Sequence, residues 1–144
     1  MPSLAEQVLA RAALVIQMAG TDAEERVERH RVDTPAIEDT PNVNVRRASL
    51  ALDAFSSDAD AMAMEFVVEH WTSGDDWEST ADALHLQTHV ALQADAPLAR
   101  LVRSLRCIGT DTAAAAAERP LGRIAATYRV QALVSQRDLT RHFT

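Results

Sequence analysis

The chain lacks the features of secreted and membrane proteins. Cys107 is its one cysteine, so no internal disulfide can form, which favours a reducing compartment. The first 20 residues lack the basic start of a signal peptide, and Arg11 interrupts their apolar run. No stretch reaches the roughly 18 apolar residues that a membrane span needs. We therefore expect a soluble protein made in the cytoplasm, with no membrane partner.

Glycine and aromatic residues are also scarce. Four glycines are scattered along the 144 residues, none of them in a G-x-G or Walker arrangement. This excludes a glycine-rich phosphate loop, and no cofactor is expected. Aromatic residues are 4% of the chain, so the core is built mostly from Leu, Val, Ile, Met and Ala. A chain of this length fits one domain, and such a core suits a single sheet covered by helices.

Lysine is absent, and charge is distributed unevenly along the chain. All 14 basic residues are arginines, and the net charge of −7 disfavours a general nucleic-acid binder. Residues 1–99 hold 18 acidic residues and 6 arginines, for a net charge of −12. Residues 100–144 hold 3 acidic residues and 8 arginines, for a net charge of +5. The two parts either neutralise each other within one sheet or meet between neighbouring subunits.

Helical periodicity predicts three helices. Ser3 and Glu6 fit a capping box at the start of a helix over residues 3–19, which Gly20 ends. A second helix is predicted over residues 76–94, after a turn at Gly74. A third, short helix is predicted over residues 97–105, with Pro97 in its first turn.

Alternating apolar residues predict the strands. The clearest run covers residues 59–71 and places four apolar side chains on one face: Met62, Met64, Phe66 and Val68. Residues 42–52 form its expected antiparallel neighbour, although Leu50 and Leu52 point away from Val43 and Val45 unless a bulge intervenes. Three further segments fit strands: residues 27–32, 106–112 and 122–132.

Together these elements predict an α/β (α+β) domain over residues 1–134. We expect a mainly antiparallel sheet of four to five strands with two to three helices packed on one face. The five alanines at residues 113–117 favour helix in isolation but fall where a hairpin connection is expected. The polar tail at residues 135–144 has no core stripe and is expected to be disordered until something binds it.

Two sets of charged residues are candidates for an interface. On the polar face of the sheet, Glu65 and Glu69 would pair with Arg123 and Arg129 if the last strand lies beside the long one. A row at three-residue spacing on the third helix could contact an acidic partner: Arg100, Arg103 and Arg106. Without interleaved aromatic residues, this row favours a protein contact or a solvated surface over a nucleic-acid site.

The candidates for chemistry are few. Asp82, His85 and His89 fall on one face of the second helix, and two histidines at this spacing can share Zn²⁺. The glutamate that follows the first histidine in zinc proteases is missing, so a solvated helix face is favoured. Cys107 fits a small buried apolar residue better than a nucleophile.

The order of elements resembles the tail-terminator family of long-tailed phages, the minor tail proteins similar to the lambda tail terminator. The resemblance runs from about Leu4 to Leu133. It is carried by the N-terminal helix and by three segments: Pro41-Asn-Val-Asn-Val45, the Asp95-Ala-Pro-Leu98 bend, and the last hairpin from Ile108-Gly-Thr-Asp111 to the strand ending at Val130.

The resemblance implies a small α/β subunit without catalytic residues. In that family the subunit forms a six-membered ring on the last ring of tail-tube protein, stops tube growth and offers the surface that joins the head. The implied partners are copies of itself, the tail-tube protein and a head–tail connector or neck protein, with DNA only passing through the lumen. The implied location is the head-proximal end of the tail, after assembly in the host cytoplasm.

Three other functions stay open at this point. A neck or head-closure protein of the same particle would have a similar sequence pattern. A small metal-binding enzyme would use Asp82, His85 and His89, and a stand-alone peptide-binding module would use an exposed edge of the sheet.

Overall fold

The computed structural model describes residues 1–143 and confirms the predicted α+β fold. These residues form three α-helices, five strands and a short 3-10 helix: α1 (Leu4–Met18), β1 (Val27–Arg29), the 3-10 helix (Ile37–Asp39), β2 (Asn42–Ala54), β3 (Ala59–Ser73), α2 (Trp77–Ala94), α3 (Ala96–Leu101), β4 (Ser104–Ala115) and β5 (Leu121–Ser135). The strands make one sheet in the order β1-β2-β3-β5-β4. Its β1–β2 pair is parallel and its other pairs are antiparallel.

The helices cover one face of the sheet, which we call the covered face, and leave the other face open. Along β3 the predicted alternation is confirmed, because four of its side chains are buried in the core on the covered face: Met62, Met64, Phe66 and Val68. Phe66 stacks on Tyr128 of β5 with ring centroids 5.4 Å apart. Leu84 of α2 is fully buried in the same cluster. No helix within residues 1–143 is long and apolar enough to cross a membrane.

The N-terminal helix begins and ends as predicted. The Glu6 N–H donates to the Ser3 hydroxyl at 3.2 Å, which satisfies one of the free donors of the first turn. Gly20 follows the helix with a φ of 66°, a left-handed conformation that glycine adopts without steric cost. The helix buries an apolar stripe in the core: Leu4, Val8, Leu9, Ala12 and Ile16.

A β-bulge resolves the change of face predicted in β2. The register with β3 shifts between Arg47 and Ser49, so one extra residue is inserted in β2. Because a shift of one residue reverses the side-chain direction, the bulge brings four apolar residues of β2 to the covered face: Val43, Val45, Leu50 and Leu52. Val43 and Val45 are fully buried under the helices, whereas Leu50 and Leu52 lie farther along the hairpin and are each 41% exposed.

The third helix is shorter than predicted. It ends at Leu101 instead of residue 105, and Val102 is already extended, with φ −131° and ψ 158°. The Arg103 N–H then donates to the Gln131 carbonyl at 2.7 Å, and β4 continues along β5 from Ser104. The free edge of β5 therefore overrides a local pattern that would have extended the helix.

The alanine run also differs from its predicted place. Ala113, Ala114 and Ala115 do not lie in a hairpin connection but continue β4 and pair with Arg123, Gly122 and Leu121 of β5. Helix propensity is a weak local preference of less than about 1 kcal/mol per residue, and here the backbone hydrogen bonds of the ladder outweigh it.

The C-terminal segment packs against the domain at three places. The Ser135 N–H donates to the Arg141 carbonyl at 2.9 Å, and the Phe143 N–H donates to the Leu133 carbonyl at 2.7 Å. The Leu139 carbonyl accepts from the Leu4 N–H at the start of α1, also at 2.7 Å. Within the described part the segment is thus held by backbone hydrogen bonds, in contrast to the expected disorder. Thr144, the last residue of the predicted tail, lies outside the described residues.

Gly122 is expected to tolerate no side chain. A Cβ at this position would lie 2.4 to 2.6 Å from three carbons of the Trp77 ring. Replacing Gly122 with Ala should therefore displace the start of α2 from β5 and lower the free energy of unfolding by about 1 to 3 kcal/mol, measured by urea denaturation. Gly109→Ala is the matched control, since a Cβ there meets nothing within 4 Å. Equal stability of the two variants would contradict the prediction.

Candidate functional site

The open face of the sheet carries a buried carboxylate at its centre. The Glu69 side chain, on β3, is 7% exposed and forms an ion pair with Arg123 of β5. Asn44 of β2 donates to Glu69 Oε1 at 2.7 Å, and Arg46 Nε lies 3.7 Å from the same oxygen. Three strands therefore contribute one side chain or more to this network, which fixes their positions relative to one another.

A groove opens beside this network. Its volume is about 610 Å³, and it lies between residues 31–34 and residues 113–116. The guanidinium of Arg123 sits 5.7 Å from the centroid of the Trp71 ring on the groove floor. An arginine over an aromatic ring is held in place by cation–π attraction, so the groove has a rigid, amphipathic floor.

The predicted cross-strand charge pairs are confirmed. Glu65 lies directly opposite Arg129 in the β3–β5 register, and Arg129 Nη2 donates to Glu65 Oε2 at 3.0 Å. Arg123 pairs with Glu69 in the same strand pair. Arg106, however, lies directly opposite Arg129 on β4, so two like charges adjoin there. The acidic and basic parts of the sequence thus neutralise each other along β3 and β5, but not at β4.

The predicted row of arginines is divided between three elements. Arg100 is in α3, Arg103 is in the connection that follows, and Arg106 is in β4. The row is not on one helix face because α3 ends at Leu101. All three side chains are exposed, and no ion pair is formed by any of them within residues 1–143. They are the clearest basic surface left without internal compensation.

A histidine cluster lies between α2 and the covered face. His70 of β3 is fully buried, with its ring centroid 5.0 Å from that of His85. The Tyr128 hydroxyl lies 2.9 Å from His89 Nδ1 and 3.4 Å from His85 Nε2. The helix face that was expected to be solvated is therefore half-buried and hydrogen-bonded to the sheet.

Burial disfavours the charged forms of three groups in this cluster: His70, His85 and Tyr128. It lowers the pKa of His70 to about 3 and, together with the nearby His89, lowers the pKa of His85. Burial also raises the pKa of the Tyr128 hydroxyl well above its usual range. The cluster ties α2 to the sheet, because His70 of β3 lies 2.7 Å from the Thr88 hydroxyl of α2 and His89 of α2 lies 2.9 Å from the Tyr128 hydroxyl of β5.

The metal-binding candidates are not arranged around a common point. Asp82 is exposed, whereas His85 and His89 turn to Tyr128. Within residues 1–143 no three His, Cys, Asp or Glu side chains are placed to hold a metal ion. Cys107 is half-buried and packs against the core on the covered face, as a small apolar residue would.

Sequence reasoning missed three polar residues of these sites. His70 falls on the same alternating face as Phe66 and Val68, and this position alone predicts a buried histidine. Its partner Thr88, 2.7 Å from Nε2, lies on the buried stripe of α2. Asn44 gave no signal, because the pattern of a strand does not show which residue of a neighbouring strand it will meet.

Comparisons with known proteins show similarity to solved structures. No protein-family model matches the chain, and no curated protein matches it. A chain of a solved structure described as "Virion of native gene transfer agent (GTA) particle" is similar at 18% identity, with 90% of each chain covered and a TM-score of 0.45. A similarity at this TM-score carries no argument about function.

Proposed function

We propose that this protein is a structural, non-enzymatic subunit of a phage tail or tail-like particle. In this proposal it forms a homo-oligomeric ring, most simply a hexamer, that caps the tail tube, terminates its growth and provides the surface that joins the head. The virion is then its location, and the tube protein and a connector or neck protein are its partners.

The proposal is supported by the order of helices and strands around the segments that resemble the tail-terminator family. Pro41 directly precedes β2, and the other four residues of the segment, Asn42–Val45, begin that strand. In the Asp-x-Pro-Leu bend, the Leu98 N–H donates to Asp95 Oδ2 at 2.9 Å, and Leu98 is buried. Arg11 of α1 holds the same carboxylate through two hydrogen bonds of 2.8 Å. The bend therefore ties α3 to α1, and it is a structural motif.

A ring requires two different surfaces on each subunit, one for each neighbour. The described part of the chain offers such a pair, since the exposed arginines at the β4 side are uncompensated while the excess of acid lies in residues 1–99. Complementary charge of this kind guides assembly and fixes orientation. The net charge of −7 also suits a subunit beside a DNA channel, because it prevents DNA from adhering.

The test is assembly with and without tail tubes. Light scattering after size exclusion, at several concentrations, should show a ring-sized species, and electron microscopy should show it at one end of assembled tubes. Added subunit should also stop tube elongation. A protein that stays monomeric and neither binds nor caps tubes would refute the proposal, and one that binds connectors but not tubes would be a neck or head-closure protein.

A further inference from the structure

The hairpin between β2 and β3 ends in an exposed aromatic residue between two acids. Phe55 is 60% exposed, and Asp53 and Asp58 beside it are exposed and form no ion pair within residues 1–143. The turn is nevertheless held, because its Asp58 carbonyl accepts from the Gln136 N–H at 2.9 Å. We call residues 53–58 the hairpin tip. Phenylalanine is enriched at protein–protein interfaces relative to the rest of the surface, so an exposed one at the end of a hairpin is a candidate contact residue.

A cleft of about 310 Å³ lies on the other side of the same sheet end. It runs between the α3–β4 connection and the C-terminal segment, and its apolar residues are Leu101, Val102, Ala132, Leu133 and Phe143. Arg100, Arg103 and His142 complete the lining. The cleft thus has an apolar floor, and its two arginines have no acidic partner within residues 1–143.

We propose that this cleft receives the hairpin tip of a second copy of the chain. Phe55 of one subunit would enter the apolar cleft of the next, with Asp53 and Asp58 beside Arg100 and Arg103. The two surfaces are complementary in two respects. The aromatic side chain of the tip meets apolar residues of the cleft, and the acidic residues of the tip meet the arginines of the cleft. This inference rests on the proposed ring and identifies the contact that closes it.

The two surfaces lie on opposite sides of the sheet at one end, as a ring requires. In the sheet order β1-β2-β3-β5-β4, the tip is on the β2–β3 side and the cleft is on the β5–β4 side. Both are at the end of the sheet where Ala59 pairs with Ser135. A contact between them joins neighbours side by side at one level along the strands, which lets a heterologous interface close. Within one subunit β5 lies between tip and cleft.

The contribution of each surface can be tested with its own variant. The tip variant Phe55→Ser and the cleft variant Arg100→Glu/Arg103→Glu should each raise the dissociation constant for self-association about tenfold or more, measured by analytical ultracentrifugation. Leu86→Ser and Arg119→Glu are the matched controls, since both residues are exposed and neither is part of the tip or the cleft. Thermal unfolding verifies that each variant is folded.

Mixing the variants gives the decisive result. The tip variant keeps a working cleft and the cleft variant keeps a working tip, so an equimolar mixture should form a heterodimer and stop there. A second tip variant, Asp53→Arg/Asp58→Arg, should restore rings when combined with Arg100→Glu/Arg103→Glu in one chain. Rings that form normally in all variants would overturn the inference and leave the proposed function standing. A wild-type protein that is monomeric and ignores tubes would overturn both.

Discussion

Lowering the pH from 6.5 to 3 is expected to remove on the order of 4 kcal/mol from the free energy of unfolding through His70 alone. The buried ring has two neutral partners. Its Nδ1–H donates to the Ile124 carbonyl at 2.9 Å, and its Nε2 lies 2.7 Å from the Thr88 hydroxyl. His85 is the titratable group that faces it from α2, and its charge would oppose protonation further. A charge on His70 would therefore be buried without a counterion.

The direction of the effect follows from proton binding. The pKa of His70 falls from 6.5 to about 3 on folding, so between these values the unfolded chain binds a proton that the native protein does not. The stabilisation is complete above pH 6.5 and is lost as the pH falls to 3, at about 1.4 kcal/mol per pH unit. Carboxyl groups ordinarily have pKa values of about 4, so the slope above about pH 5.5 belongs mainly to histidines.

Urea denaturation at a series of pH values measures this slope. His70→Gln should reduce it in the range from pH 6.5 to 5.5, with the remainder from His85, whereas His30→Gln, at an exposed position, should keep the wild-type slope. NMR titration of the histidine rings gives an independent readout if the His70 variant does not fold. A slope that is unchanged in His70→Gln, or a ring that titrates near pH 6.5, would refute the prediction.

The central strands could be predicted from sequence because the alternation of apolar and polar side chains lies within each strand's own residues. Residues 61–66 of β3 alternate between a partly exposed and a buried environment, so the period of two is visible without knowledge of the neighbours, although residues 66–71 are buried on both faces of the sheet. The bulge in β2 could be located for the same reason, because Val43 and Leu50 conflict unless one residue is inserted. The pairing of Glu65 with Arg129 followed from their opposite charges on adjoining strands.

The predictions that were wrong concern segments whose conformation is decided by residues outside their own sequence pattern. The end of α3 at Leu101 and the strand at Ala113–Ala115 are both decided by the edge of β5, which is not part of either local pattern. The cleft was missed because it needs Phe143 and Leu133 to meet, and a polar tail gives no periodic signal. Candidate sites built from three or more chain segments therefore cannot be predicted from the sequence pattern of any one segment.

Replacing Glu69 with alanine is expected to cost about 3 kcal/mol or more in the free energy of unfolding. Its carboxylate is 7% exposed and faces Arg123, Arg46 and Asn44. Removing it leaves the Arg123 guanidinium, whose side chain is 26% exposed, without its counterion and leaves the Asn44 amide without one acceptor. Losing one member of such a pair costs more than losing both, because the remaining charge stays desolvated.

A double-mutant cycle of Glu69→Ala and Arg123→Ala distinguishes this network from simple packing. The double variant should cost less than the sum of the single variants by about 0.5 to 3 kcal/mol, since neither unpaired charge remains. Glu65→Ala and Arg129→Ala form the matched control on the same two strands. Their side chains are 32% and 47% exposed, so each single change should cost less than about 1 kcal/mol and the coupling should be small. Equal coupling in the two cycles would show that burial does not strengthen the Glu69 pair, and the open-face network would then be a surface feature and not the clamp that joins β2, β3 and β5.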